Sequence, residues 1–257
     1  MNMTAMSHFA STLADAVRSI VLPHFRQPLA IEHKADHSPV TQADRAAEQR
    51  LRELIHQFHP EHGIVGEEYA DEGDNARYRW VIDPIDGTKS FISGMPTFAT
   101  LIALLDRNTP LLGLMDMPAL NERWLGVTGA TTLNGRRCQT RAIEQLSAAT
   151  LFATSPDMFQ GDDERCFQRL ATAVQLYRFG ADGYAYGLLA AGYIDLVAEA
   201  DLQPYDFMAL IPIIEGAGGV ISDWQGQALS LESDGRVLAA ATPELHHQAL
   251  KVLNVKL

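Results

Sequence analysis

The chain has 257 residues, of which 47% are hydrophobic and 20% charged, and a formal net charge of −12; this is ordinary globular composition with length enough for a sizeable core. The negative charge excludes a nucleic-acid binder, which needs a cationic surface, and no apolar run reaches the roughly 18 to 20 residues of a membrane span. Residues 1–18 show no basic-then-apolar leader pattern, and Cys138 and Cys166 are far apart without ligand spacing, so free thiols and a cytoplasmic location are expected.

Residues 7–25 read as an amphipathic helix, with Leu13, Val17, Ile20 and Val21 at near-helical spacing. A second helix is expected over 44–58, with Thr41 as its N-cap and Asp44 as the reciprocal partner in a capping box. Ile64-Val65-Gly66 reads as a short strand leading into Glu67-Glu68. Arg79-Trp80-Val81-Ile82 reads as a buried strand that ends against a turn, Asp83-Pro84-Ile85-Asp86-Gly87-Thr88-Lys89-Ser90-Phe91. Further strands are expected over 97–105, 111–117 and 123–128. A hairpin turn follows at Asn134-Gly135, a pair that tolerates positive φ at both central positions. Residues 1–145 thus read as two helices followed by mainly antiparallel sheet. From residue 146 the elements alternate: strand 150–154, helix 163–173, strand 175–179, helix 183–191, strand 194–198, helix 205–217, strands 219–222 and 237–241, and helix 243–253. Residues 146–257 are read as an α/β half, joined to the first in one compact unit with the site at the seam.

The chemistry concentrates in the Asp83 turn. Hard cations such as Mg²⁺ take oxygen ligands, often a few carboxylates with water and substrate phosphate. Glu67, Asp83, Asp86 and Asp206 all occupy strand-to-loop or loop-to-helix junctions. A single carboxylate beside a helix start is more often a cap than a ligand; several at such junctions weaken that reading. Pro84 fixes φ and removes a donor, which leaves the Ile85 carbonyl available to a cation. Gly87 lets phosphate approach the backbone, and a helix opening at Thr88 and Lys89 presents N–H groups to it. The Thr88 hydroxyl is placed to orient a water, with Asp44 a candidate acceptor for its proton. A bound cation also explains how so acidic a chain accepts an anionic phosphate. The nine histidines carry no ligand spacing, and His56 and His59 are expected on the surface.

Gly66-Glu67-Glu68, the turn from Asp83 to Phe91, Tyr205-Asp206-Phe207-Met208-Ala209 with Gly216-Ala217-Gly218-Gly219, and Val40-Thr41-Gln42-Ala43-Asp44 resemble the inositol monophosphatase superfamily, in the family's order and over nearly the whole chain. The resemblance implies a layered α/β/α/β/α sandwich and Mg²⁺-dependent hydrolysis of a small phosphate monoester, with two or three ions and a homodimer. Carried over residue by residue, Glu67, Asp83 and the Ile85 carbonyl bind one Mg²⁺, and Asp83, Asp86 and Asp206 a second. Thr88, backed by Asp44 and Glu67, activates the attacking water, and the amides of Gly87 and Thr88 hold phosphate. A silent metal or anion sensor on the same fold would have no need of Glu67, Asp83, Asp86, Thr88 and Asp206 together.

Departures from the inositol pattern bear on the ester. Tyr205-Asp206 stands where the family usually has Trp-Asp, and Arg178-Phe179-Gly180-Ala181-Asp182-Gly183-Tyr184-Ala185-Tyr186-Gly187 replaces a small-residue segment. These stretches look like the histidinol-phosphatase branch. Asp182 and Glu199 fall near the family's substrate-contacting positions, along with Asp86, Gly87, Thr88 and Asp206. An aspartate at 182 suits an ammonium group, and Tyr184, Tyr186 or Tyr205 could flank an imidazole; alternatively Asp182 caps the 183–191 helix and the tyrosines are core. Arg178 contacts phosphate or pairs with one of these acids. The expected reaction is hydrolysis of L-histidinol phosphate in histidine biosynthesis, with inositol-1-phosphate or a range of sugar phosphates as the alternative.

Overall fold

The computed structural model describes residues 1–28, 31–33 and 39–255. In chain order the elements are α1 (Met3–Val21), β1 (Ile31–His33), β2 (Pro39–Thr41), α2 (Gln42–Phe58), β3 (Gly63–Gly66), β4 (Tyr78–Asp86), α3 (Thr88–Ile92), β5 (Ala99–Asp106), β6 (Thr109–Met117), β7 (Glu122–Val127), β8 (Ala130–Leu133) and β9 (Arg136–Cys138). They continue with β10 (Thr150–Ala153), α4 (Asp162–Ala173), β11 (Leu176–Phe179), α5 (Tyr184–Ala190), β12 (Leu196–Glu199), α6 (Pro204–Phe207), α7 (Leu210–Gly216), β13 (Val220–Ser222), β14 (Val237–Ala240) and α8 (Pro243–Leu253).

Seven strands form one sheet in the order β3-β4-β5-β6-β7-β8-β9. β3 lies parallel to β4 and every other neighbour is antiparallel. A second sheet runs β11-β10-β12-β14-β13, parallel across its first three strands and antiparallel beyond. Side chains alternate along β4 and β5 with period two, and both faces are buried. Trp80, Ile82, Ile102 and Leu104 pack under α1 and α2 with Leu13, Val17, Leu51 and Ile55. Val81, Leu101, Ala103 and Leu105 face the opposite way, onto α5, α7 and the inner face of the second sheet. α4 and α8 cover that sheet's outer face through Phe167, Leu170, Leu245 and Leu253. The result is the α/β/α/β/α layering. Each fully buried Leu or Ile contributes about 1.5–3 kcal/mol, so the layers hold mainly through these three apolar interfaces.

Three features depart from the sequence reading. β1 pairs with β2, where only a lead-in to α2 was expected. The buried strand does not stop at Ile82: β4 runs on to Asp86, with a register shift between Asp83 and Asp86. Pro84 cannot donate to the ladder, while its carbonyl is taken by the Thr100 hydroxyl at 2.9 Å, so the strand bulges and resumes. The helix expected over 205–217 is broken into α6 and α7, because Pro212 has no N–H to give the Met208 carbonyl four residues before it.

α7 lies close enough to the large sheet that a Cβ on Gly113 would collide with the Ala209 backbone. Gly113→Val is expected to destabilise the protein by about 3 kcal/mol, the upper range of overpacking; a urea midpoint unchanged from wild type would contradict this close approach.

Candidate active site

The end of β4 and the start of α3 build the floor of a cleft of about 210 Å³ between the two sheets. Asp83 is buried, and its Oδ1 accepts the Ile85 N–H at 3.0 Å. Gly87 adopts the left-handed conformation (φ 78°) and caps α3, a backbone state costly for other residues. The expected turn chemistry is therefore present.

Asp83, Asp86 and Asp206 each offer a carboxylate oxygen within 4.8 Å of the other two. Asp83 and Asp86 come from β4, and Asp206 from the first turn of α6, where its Oδ2 also accepts the Gln203 N–H at 2.7 Å. Asp206 is thus both a cap and a member of the cluster. Burial, then the charges of Glu67, Asp86 and Asp206, pushes Asp83 well above the usual carboxylate range. Asp86 is pushed up in the same way, by burial and then by Asp182 and Asp206, against the Gly183 N–H that donates to its Oδ2 at 2.7 Å. Like charges held this close in low dielectric favour a shared proton or a bound cation. An all-oxygen donor set of this kind fits a hard divalent ion.

The Thr88 hydroxyl lies 3.1 Å from the Ile85 carbonyl and 3.5 Å from Asp44 Oδ1. Asp44 is buried and serves as the expected capping-box partner: its Oδ2 accepts both the N–H and the hydroxyl of Thr41. Burial raises its pKa, and the charge of Glu67 adds to the effect. Glu67, Asp86, Gly87, Thr88 and Asp206 all line the cleft.

Asp182 and Glu199 line the same cleft. Asp182 does not cap α5; its Oδ2 accepts the hydroxyls of Ser90 at 2.5 Å and Thr97 at 3.3 Å. A side chain on Gly87 would run into Asp182, so the two turns interlock. Glu199 is buried, and it accepts the Thr154 N–H at 2.8 Å and the Tyr186 hydroxyl at 2.9 Å. Burial raises its pKa to about 7, opposed by the Thr154 and Tyr186 hydrogen bonds. Tyr186 is fully buried yet lines the cleft. Tyr184 packs edge-on against Trp124, outside the lining, and Tyr205 packs on the inner core. Arg178 sits exposed on β11 with its guanidinium over the Phe152 ring, and it is not brought to the cleft. Sequence reading named Lys89, which lines the cleft, only for its backbone N–H, and passed over Thr154, which also lines the cleft, and Thr97, which holds Asp182. Lys89 lay in view inside the turn motif; Thr154 and Thr97 carry no local signal.

His59, Glu61 and His62 form a second group whose possible ligand atoms lie within 4.8 Å of one another. His62 is buried, and its Nδ1 accepts the Trp80 indole N–H at 3.1 Å. That bond places the neutral ring's proton on Nε2, facing Glu61 at 3.3 Å, so neither nitrogen keeps a lone pair for a metal.

Among the described residues no helix is long and apolar enough to cross a membrane. The chain is 46% identical over 263 residues to "Bifunctional phosphatase IMPL2, chloroplastic" of Arabidopsis thaliana, covering 97% of this chain and 76% of that protein. It is 34% identical to a histidinol-phosphatase of Chlorobaculum parvum, covering 92% and 93% of the two chains. Its fold matches an inositol monophosphatase from Zymomonas mobilis with a TM-score of 0.91 at 44% identity, over 99% of this chain and 100% of the other. The inositol monophosphatase family profile matches residues 2–256. With carboxylates converging at the end of β4 and relatives that are phosphoric monoester hydrolases, the chain belongs to the inositol monophosphatase family.

Proposed function

We propose that this protein hydrolyses L-histidinol phosphate to L-histidinol and phosphate, with Mg²⁺ as its cation, in histidine biosynthesis. One observation carries the choice of ester. The cleft is lined by five carboxylates (Glu67, Asp86, Asp182, Glu199 and Asp206) and one cation, Lys89. Cations bound by the cluster balance the phosphate, but Asp182 and Glu199 add charge that an uncharged polyol would leave unmatched. An ammonium group on the substrate matches it. The histidinol-phosphatase name of the Chlorobaculum relative supports the same reading. A second reading, inositol-1-phosphate, is favoured by the 44% identity to the Zymomonas inositol monophosphatase.

In this reading Glu67, Asp83, Asp86, Asp206 and the Ile85 carbonyl hold two or three ions. Bound there, divalent cations stabilise charge on the phosphoryl oxygens and acidify a water. Thr88 orients the attacking water, with Asp44 and Glu67 behind it as proton acceptors. The amides of Gly87 and Thr88 hold the phosphate, and Asp86 and Asp206 also contact the substrate. Asp182 and Glu199 receive the ammonium end, and Tyr186 fixes the Glu199 carboxylate. Arg178, exposed on β11, would meet substrate only by a route outside this cleft. Cytoplasmic residence and a homodimer belong to the same reading, supported by the unpaired Cys138 and Cys166 and by the family resemblance.

The deciding experiment is turnover of L-histidinol phosphate and inositol-1-phosphate side by side with Mg²⁺. A clear preference in kcat/KM for histidinol phosphate is expected, and a preference for the inositol ester would sink the proposal. The raised pKa of Glu199, about 7, adds a pH signature. An ammonium ligand requires the carboxylate form, so the KM for histidinol phosphate should fall as pH rises from 6 to 8. Dividing by the KM for inositol-1-phosphate cancels titrations common to both esters. Glu199→Gln should flatten that ratio, and a wild-type ratio already flat would remove Glu199 from the ammonium site.

Metal dependence has its own signature. The folded pKa values of Asp83 and Asp86 lie above their unfolded values. Their contribution to metal-free stability is therefore complete below the unfolded pKa and is lost as pH rises through the folded one. Mg²⁺ relieves that repulsion, so the rise in Tm on adding Mg²⁺ should be larger at pH 8 than at pH 5.5. Asp83→Asn should abolish phosphatase activity while leaving the metal-free Tm equal to or above wild type. A lower metal-free Tm in that variant would show that the ionised carboxylate is not strained.

A further inference from the structure

Glu67 sits on the loop between β3 and β4. The base of this loop is closed by Ile64 and Glu72, which exchange backbone hydrogen bonds at 2.8 Å in both directions. β3 pairs with β4 as far as Gly66, but residues 67–71 make no ladder with a neighbouring strand, so something else must hold the stretch that carries Glu67.

Two side chains of α2 reach into it. Glu48 is fully buried, and its Oε2 accepts the Glu68 N–H at 2.7 Å. Its Oε1 accepts the Arg52 Nε–H at 2.9 Å. Arg52 is 6% exposed and spreads its guanidinium in three directions. Nε and Nη2 engage Glu48, Nη2 donates to the Tyr69 carbonyl at 3.0 Å, and Nη1 donates to Glu72 at 2.8 Å. The guanidinium also lies 5.7 Å from the Tyr69 ring centre. On the loop side, Gly66 comes so close that a Cβ there would collide with Glu48 Oε1 and approach Arg52 Nη2 to 2.6 Å. The pair therefore grips the backbone on either side of Glu67, at residue 66 by contact and at residues 68 and 69 by hydrogen bonds, and it also holds the Glu72 carboxylate. Burial raises the Glu48 pKa, opposed by the Glu68 N–H and by Arg52.

A buried ion pair is a poor source of net stability, because desolvation offsets the attraction. Two hydrophobic residues could fill the same space on α2. What they could not do is fix polar loop atoms at defined positions. We infer that the Glu48–Arg52 pair is a positioning device, which sets the place of the Glu67 carboxylate and thereby the affinity of the cleft for its divalent cation. This rests on the reading of Glu67 as a cation ligand and not on the choice of ester. Neither residue touches substrate. Arg suits the place better than Lys because its planar fork spreads donors from Nε to Nη1 and Nη2, toward Glu48, the Tyr69 carbonyl and Glu72, whereas an ammonium is a point on a shorter stem.

The test uses the full chain stripped of metal, with Mg²⁺ alone as titrant in calorimetry, and the metal-free Tm measured beside it. Arg52→Lys keeps the charge opposite Glu48 but lacks the fork that spreads donors toward the three acceptors. It should weaken Mg²⁺ binding by about 10-fold or more, the usual effect of losing a group that orients a metal ligand, and kcat should recover at saturating Mg²⁺. A merely structural role would lower Tm and leave the Mg²⁺ Kd alone. The double variant Glu48→Gln with Arg52→Met removes both charges together, so no charge is left unpaired in the interior; it decides the matter should Arg52→Lys fail to fold, and the same loss of affinity is expected. Arg50→Lys, on the exposed side of α2 and paired with Glu53, is the control and should bind Mg²⁺ as wild type does. An unchanged Mg²⁺ Kd in the folded variants, with a wild type that does bind Mg²⁺, overturns the inference and leaves the phosphatase reading standing. A wild type that binds no Mg²⁺ overturns both.

Discussion

Mutual repulsion among closely packed carboxylates is the constraint around which this molecule is arranged. Asp83, Asp86 and Asp206 converge within 4.8 Å in an interior that would rather hold none of them ionised. Such a cluster survives folding only where backbone donors fix each member. The Ile85 N–H fixes Asp83, the Gly183 N–H fixes Asp86, and the Gln203 N–H fixes Asp206. The Gly183 and Gln203 donors lie at helix starts and the Ile85 donor lies in the bulge of β4, all places where the backbone has N–H groups to spare. The repulsion that remains is a reservoir that a bound divalent cation would discharge.

The layering exists to hold those turns in register. β4 brings Asp83 and Asp86, and the close approach of α7 to Gly113 sets the height of the α6–α7 segment above the large sheet. The break forced by Pro212 lets α6 stand as a separate turn, so that Asp206 can cap it and face β4 together. α5 begins where Asp182 is tied back to Ser90 and Thr97. The Asp182 side of the cleft is thus bolted to the Ser90 and Thr97 side through side chains some ninety residues apart in sequence.

Much of this was legible in the chain because it is local. The Thr41–Asp44 capping box spans four residues, the Asn134-Gly135 hairpin two, and the Asp83 to Phe91 turn nine; each carries its own chemistry in its residue types. α8 runs over the same residues, 243–253, that periodicity gives it. The parts that could not be read depend on partners distant in sequence. The continuation of β4 through Pro84 depends on Thr100, the role of Asp182 depends on Ser90 and Thr97, and the burial of His62 depends on Trp80. The grip of Glu48 and Arg52 on residues 66–72 belongs to the same class: on a helical wheel they are an ordinary i, i+4 ion pair, and only the fold shows what they enclose. Arg178 shows the opposite failure, since it is a residue singled out by motif that the fold leaves on an open sheet edge.

The central claim is that burial and mutual charge raise the pKa values of the carboxylates at the end of β4, so that a divalent cation competes with protons there. Titration of Mg²⁺ into metal-free protein by calorimetry, in two buffers of different ionisation enthalpy near neutral pH, measures this directly. The account predicts saturable binding with net proton release, seen as a buffer-dependent heat, and the release should shrink as pH rises. Saturable binding whose heat is the same in both buffers, or no binding at all, would contradict it.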